Sequence, residues 1–197
     1  MALTLTCPVC GPRVWLQDLN GPIKGQTDPL EAAAGLLAVG RVLGIKGLGG
    51  FHLAVRATDN RAVNRLRRRK KREGKPLAIM ARNIGVARNL AVISAAEEEL
   101  LTSPQAPIVL VEKTGDMVAD MVAPGHRRLG LMLPYTPLHH LLFDDDMRVL
   151  VMTSANASGE PIAATAAEAG ERLGDITRTF LDHDREIRNR CDDSIVY

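Results

Sequence analysis

Aromatic residues are nearly absent: one tryptophan, two tyrosines and three phenylalanines make up 3% of 197 residues. That supply leaves little material for the stacked-base platforms on which single-strand nucleic-acid binders rely. Cysteine is as scarce. Cys7, Cys10 and Cys191 are too few, and of the wrong parity, for a disulfide framework, which favours a reducing, cytoplasmic setting. Long hydrophobic runs are missing too. Apolar stretches such as 129–134 and 148–152 have strand length and fall far short of a membrane span, and no basic-apolar-small leader is expected from the first residues. The expectation is a soluble protein that is not secreted.

What is present is a hydrophobic fraction of 46%, enough for one sizeable core with an appended arm. The formal net charge is only +2, yet residues 67–76 read Arg-Arg-Arg-Lys-Lys-Arg-Glu-Gly-Lys-Pro. Acids elsewhere must compensate, so this positive field is local and implies a local anion, either nucleic acid or the phosphates of a nucleotide. The blander alternative is a solvated helix face.

Residues 1–27 carry Cys7-Pro8-Val9-Cys10-Gly11-Pro12 and Asn20-Gly21-Pro22, turn residues without sustained periodicity, and read as an arm. Asp28-Pro29 is an N-cap followed by proline at the first helical position, which opens a helix through Val39. Strands are expected at 41–46 and 51–57, joined by the Gly47-Leu48-Gly49-Gly50 turn. Thr58 or Asp59 then caps a helix whose Val63 and Leu66 face inward, whose arginines point outward and which stops at Gly74. Strands at 77–81, 108–112, 130–133, 148–153 and 177–181 alternate with helices at 84–90, after Ser94, 137–143 and 164–173, and a last strand begins near Ser194. Such alternation argues for an α/β sheet covered by helices.

Three constellations could carry chemistry. Lys70 and Arg72 lie at the expected helix-to-strand junction, where an ammonium beside a planar guanidinium makes a phosphate clamp. Thr153-Ser154-Ala155-Asn156-Ala157-Ser158 follows an apolar strand, and small polar side chains at a strand's carboxyl end admit a ligand, though such a loop is often only a turn. Residues 183–194 interleave Arg185, Arg188 and Arg190 with acids, giving a second anion clamp, a magnesium site at Asp192-Asp193 or merely surface ion pairs. His52 could reach the cleft of the glycine turn or serve structurally. His139-His140, adjacent on a helix, make a poor metal pair.

Five ordered blocks together, 46–53, 67–80, 129–140, 153–161 and 183–196, resemble the YrdC-like domain of the hydrogenase-maturation carbamoyltransferases of the HypF family over nearly the whole chain. The resemblance implies a twisted open mixed sheet flanked by helices over 28–197, a nucleotide-binding piece of a longer multidomain protein. The 1–27 arm would be the remnant of a zinc-finger region, with Cys7 and Cys10 as half of a tetrahedral site that holds zinc only in the full-length protein. It implies that ATP with Mg2+ condenses with carbamate, derived from carbamoyl phosphate by an acylphosphatase-like domain, to give carbamoyl adenylate and pyrophosphate. A carbamoyl-transfer domain then passes the group to HypE, where it becomes a cyanide ligand of nickel-iron hydrogenase. The superfamily's tetrad of Lys and Arg two apart, with Ser and Asn two apart, falls on Lys70, Arg72, Ser154 and Asn156. Thr153 and Ser158 flank the phosphate site, and Lys46, His52, Arg185, Arg188 and Ser194 are candidates for a substrate or second anion clamp.

Two competitors share the fold. The threonylcarbamoyl-adenylate synthases of tRNA modification carry Arg-x-Pro-x-His around the position of Pro134, whereas this chain has Met132 and Thr136, so the cation for a threonine carboxylate is missing. A double-stranded RNA module would use the basic block of residues 65–75 and predicts binding that weakens steeply with salt.

Overall fold

Along residues 51–56 the side chains of Phe51, Leu53 and Val55 join one hydrophobic cluster, while Ala54 joins another on the opposite side of the sheet. This two-residue alternation is that of a strand covered on both faces. The structure is a computed structural model that describes residues 11–25, 28–157 and 159–197. In chain order its elements are β1 (Val14–Asp18), β2 (Gly21–Pro22), α1 (Pro29–Ala38), β3 (Leu43–Lys46), β4 (Phe51–Arg56) and α2 (Asn60–Arg69). There follow β5 (Ile79–Ala81), α3 (Ile84–Leu90), β6 (Ala91–Val92), α4 (Ala95–Thr102), β7 (Ile108–Lys113) and β8 (Arg128–Met132). The chain closes with α5 (Pro137–Leu141), β9 (Val149–Ser154), α6 (Ala166–Leu173), β10 (Phe180–His183) and β11 (Ile195–Val196).

All of these strands form one 11-stranded mixed sheet in the order β11-β7-β8-β5-β9-β4-β3-β10-β1-β2, with β6 paired to β7. Residues of α1 and α5 pack on one face, around Leu37, Leu138 and Leu142. On the other face α2, α3, α4 and α6 contribute Leu66, Leu90, Leu101 and Leu173. The expected open mixed sheet flanked by helices is therefore the observed fold. No helix among the described residues is long and apolar enough to cross a membrane.

Helix starts follow their caps. Asp28 accepts from the Leu30 and Glu31 amides ahead of Pro29, Asp59 rather than Thr58 caps α2, and Ser94 with Glu97 forms a capping box on α4.

Three expectations need correction. The segment read as an arm is partly sheet: β1 pairs with β10 from Val14 to Gln17, and Leu16 is buried in the core. A five-residue strand is too short to show periodicity, and only its partner 165 residues away reveals it. Cys7 and Cys10 lie outside the described residues. The second correction concerns the end of α2, which stops well before Gly74. Lys71 takes a left-handed φ of 50°, its amide bonds the Arg68 carbonyl, and the Arg72 amide reaches back to the Arg67 carbonyl, a Schellman stop in which lysine takes the place of glycine. Third, not every arginine of α2 points outward. Arg67 is 5% exposed. Its Nε and Nη2 donate to the Met121 carbonyl (2.9 and 2.6 Å), Nη2 also reaches Val122 (3.3 Å), and Nη1 donates to Arg72 and Lys75 (2.7 and 3.0 Å). The guanidinium satisfies main-chain carbonyls that the chain reversal after α2 would otherwise strand.

Candidate functional site

The Schellman stop sets the direction of everything after α2. By turning the chain at Lys71 it leaves Lys70 at the helix end, pointing across to the loop that follows β9. Lys70 Nζ donates to the Ser154 carbonyl (2.6 Å), the Asn156 carbonyl (2.7 Å) and Asn156 Oδ1 (3.3 Å). Asn156 Oδ1 also accepts from Ser154 Oγ (2.8 Å), and Asn156 Nδ2 donates to the Glu160 carbonyl (2.8 Å). One ammonium thus ties Ser154 to Asn156, and Asn156 in turn holds Glu160. Because β9 lies beside β4 and α2 follows β4, two blocks 84 residues apart meet there.

Between them is a cavity of about 360 Å³ lined by Lys70, Lys71, Arg72, Lys75, Ser154 and Asn156, among others. Arg72 Nη2 donates to the Pro76 carbonyl (2.9 Å), while its Nε is buried without a partner. A buried donor with nothing to bond is costly unless a ligand or water completes it. Burial, with the Arg72 charge adding to it, pulls the Lys70 ammonium down to about 8, and burial lowers Arg72 as well. These shifts mark a site where positive charge is concentrated and partly dehydrated, which favours a multiply charged anion. Thr153 is buried within β9, in register with Leu53. Ser158 lies outside the described residues.

A second, smaller cavity of about 220 Å³ adjoins the glycine turn and is lined by Leu48, Gly49, His52, Tyr135, Asp193 and Ser194, among others. Gly49 is required there, because a side chain would run into the Cys191 carbonyl. The Cys191 amide in turn donates to the Gly49 carbonyl (3.1 Å), docking the C-terminal segment on the turn. His52 of this cavity is the register partner of Ser154 of the first, so the two cavities are neighbours.

Sequence reasoning missed the polar cluster behind this second cavity. Asp193 Oδ2 lies 2.9 Å from His52 Nε2, and Asp193 Oδ1 accepts from the Tyr135 hydroxyl at 3.1 Å. An ionised carboxylate can only accept, which places a proton on His52 Nε2. Burial by itself would raise Asp193, but the donors from His52 and Tyr135 hold it below the usual carboxylate range. Tyr135 is pushed up, by burial first and by Asp193 second. His139 is completely buried, edge-on to Tyr135 (centroids 4.6 Å) and to His52 (6.4 Å). Burial, with His52 adding to it, drives His139 down to about 3. Neither of its nitrogens has a partner, nor does His52 Nδ1. The Thr136-Pro137 cap, which fixes the start of α5, is the sequence signal that sets Tyr135 and His139 side by side.

The other candidates divide between the second cavity and the surface. Lys46 is paired with Asp182 (3.0 Å) and donates to the His183 carbonyl (2.8 Å). Arg185 and Arg188 are exposed and line neither cavity. Ser194 lines the second cavity, and its carbonyl accepts from the Ile108 amide (2.8 Å). Asp193 is committed to His52 and Tyr135, and no group of three or more His, Cys, Asp or Glu among the described residues is placed to hold a metal.

Comparison with known proteins places this geometry among relatives. Residues 35–197 match the Sua5/YciO/YrdC family, described as telomere recombination. The chain is similar to carbamoyltransferase HypF of Rhodobacter capsulatus, 49% identical over 195 residues that cover 99% of this chain and 26% of that protein. Among solved structures, HypF of T. kodakarensis superposes with a TM-score of 0.90 at 43% identity. A full-length HypF in its phosphate- and nucleotide-bound form gives 0.87 at 44%. Each superposition covers 96% of this chain and 25% of the other. The chain spans about a quarter of the length of these relatives.

Proposed function

The chain belongs to the Sua5/YciO/YrdC family, and from that premise we propose that it forms carbamoyl adenylate from ATP and carbamate as one step of a carbamoyltransferase. The observation that carries the proposal is the contact of Lys70 Nζ with the Ser154-Asn156 loop beside Arg72, which unites a cationic helix end and a small polar loop around one cavity. Lys70, Arg72 and the loop's Ser154 and Asn156 receive the triphosphate. The 3.3 Å bond from Lys70 to Asn156 Oδ1 is the weakest of its three and the one most readily exchanged for a phosphate oxygen. Arg72 Nε, buried and unpartnered, supplies a further donor.

The carbamate is held next door, in the cavity of His52, Asp193 and Ser194. Its oxygen attacks the α-phosphorus, a new oxygen–phosphorus bond forms, the bond to the β-phosphate bridge oxygen breaks, and pyrophosphate leaves with the electron pair. Carbamate is already anionic, so no protein nucleophile is required. The chain's part is to position the reactants and to stabilise charge on the phosphoryl oxygens. When bound, magnesium would supply further charge neutralisation beside Lys70 and Arg72, with few protein ligands needed. Other domains of a longer polypeptide would provide the carbamate from carbamoyl phosphate and deliver the carbamoyl group to HypE for hydrogenase maturation.

Threonine is a poor fit for the second substrate. Met132 is fully buried in the core and the Thr136 side chain caps α5, so neither offers a cation to a substrate carboxylate. The test is exchange of labelled pyrophosphate into ATP with ammonium bicarbonate as the carbamate source and threonine in a parallel arm. Carbamate-dependent exchange that Lys70→Ala abolishes is expected. Exchange that requires threonine overturns the substrate, and exchange indifferent to Lys70→Ala overturns the site.

A further inference from the structure

Six arginines fall outside the site just described yet lie close together. Arg61, Arg65, Arg68 and Arg69 project from α2, Arg41 precedes β3 and Arg178 precedes β10. Four of them, Arg41, Arg65, Arg69 and Arg178, line a cavity of about 680 Å³, and an adjoining groove holds Arg61 and Arg68. The entries of β3 and β10, which run parallel, are the strand ends opposite the Gly47–Gly50 turn, so this cavity opens at the other end of those strands from the carbamate pocket.

Positive charge is in excess here, with five arginines lining the cavity against Glu171 and Asp175. Elsewhere on the surface Arg82, Arg88, Arg127 and Arg190 each meet a carboxylate, and Arg172, which also lines the cavity, pairs with Glu168. Among the described residues none of these six takes part in an ion pair, although Glu171 and Asp175 also line the cavity. Like charges at the i, i+4 and i+8 positions of one helix repel, and an anion that bridges them removes the repulsion.

Two of the guanidinium groups are also held in place. Arg65 Nη1 donates to the Gly40 carbonyl (3.1 Å) and Arg69 Nη1 to the Ile176 carbonyl (2.9 Å), which fixes both planes and leaves their remaining N–H groups for a ligand. The stripe from Arg61 to Arg69 runs about 12 Å along the helix, more than a single phosphate can bridge. No aromatic residue lines the cavity or the groove, so a nucleobase would find no stacking partner, whereas a phosphate chain needs none.

We propose that this arginine-lined groove is a second anion site, separate from the Lys70 clamp, that takes a chain of two or more phosphates. The probe is inorganic tripolyphosphate, titrated calorimetrically into the wild-type chain, an Arg65→Ala/Arg69→Ala variant and a Lys70→Ala/Arg72→Ala variant, with thermal melts to verify folding. The wild type is expected to show two binding events, and each double variant to lose a different one, with affinity falling about tenfold or more at the altered site, as expected when charge-assisted bonds are removed. An Arg65→Gln/Arg69→Gln variant serves the same purpose should the alanine variant unfold. ATP in place of tripolyphosphate should fill the groove with no gain in affinity from the base. A single event that the Arg65/Arg69 variants leave unchanged overturns the proposal, as does a groove that binds double-stranded RNA or an acidic peptide but not tripolyphosphate.

Discussion

Arg67 and Lys70 stand three residues apart near the end of one helix, and both direct their donors at main-chain carbonyls, yet they serve opposite ends. The Arg67 acceptors come from the reversal after α2 and from residues 121–122, and the side chain is 5% exposed, so no ligand can reach it. The Lys70 acceptors belong to a half-buried loop at the edge of a cavity. A buried cation whose donors are all taken up by main-chain carbonyls is scaffold. The same kind of cation facing carbonyls that water or a ligand can also satisfy becomes a site. Arg61, Arg65, Arg68 and Arg69 give a third outcome on the same helix, charge that the fold leaves without an acidic partner.

The sharpest way to break the comparison is to neutralise each cation in turn. Arg67→Met takes the guanidinium donors from the Met121, Arg72 and Lys75 carbonyls, while the Val122 carbonyl keeps the Leu77 amide, and should lower unfolding free energy by about 2–4 kcal/mol. Lys70→Met leaves acceptors that water can reach and should change stability by no more than about 1 kcal/mol while removing nucleotide binding. Urea denaturation of both variants settles it. Equal destabilisation would mean that Lys70 is scaffold too.

That contrast was not legible in the sequence. The position of Lys70 and Arg72 at the end of the basic run sets them apart from the outer arginines, but nothing local indicates that carbonyls at 121–122 fold back onto Arg67. What was legible rested on short-range chemistry: the Asp28-Pro29 and Asp59 caps, the strand-length apolar runs and the strand-then-small-polar-loop pattern at 153–156. The pairing of Lys70 with that loop could be expected only through resemblance to a family, because 84 residues separate them and only the β4–β9 pairing brings them together. The cluster of His52, Tyr135, His139 and Asp193 draws on three separated segments and carried no signal beyond the Thr136-Pro137 cap.

A smaller effect separates the two cavities. His139 is neutral in the fold down to about pH 3, whereas an unfolded histidine takes up its proton near 6.5. Between those values the unfolded chain binds more protons, so stability falls as pH drops through the window. His139→Phe should flatten this acid limb by up to about 1.4 kcal/mol per pH unit. At pH 7 it should leave stability within about 1 kcal/mol of wild type, because neither ring nitrogen has a partner to lose. Thermal melts between pH 4 and 7 would reveal it, and an unchanged acid limb would mean that His139 is charged or hydrated in the fold.

The central claim is that the Lys70 ammonium, already pulled down to about 8, holds the nucleotide's phosphates. Its stability effect and its binding effect run in opposite directions. From about pH 8 up to its ordinary value of 10.5 the unfolded chain binds more protons, so stability should rise with pH, while a deprotonated lysine loses its grip on phosphate. The direct measurement is ATP affinity from pH 7 to 9.5 for the wild type and for Lys70→Arg, whose guanidinium stays charged throughout. Wild-type affinity that falls above pH 8 beside a flat Lys70→Arg profile is the predicted result. A flat wild-type profile, or the same fall in both proteins, would contradict it.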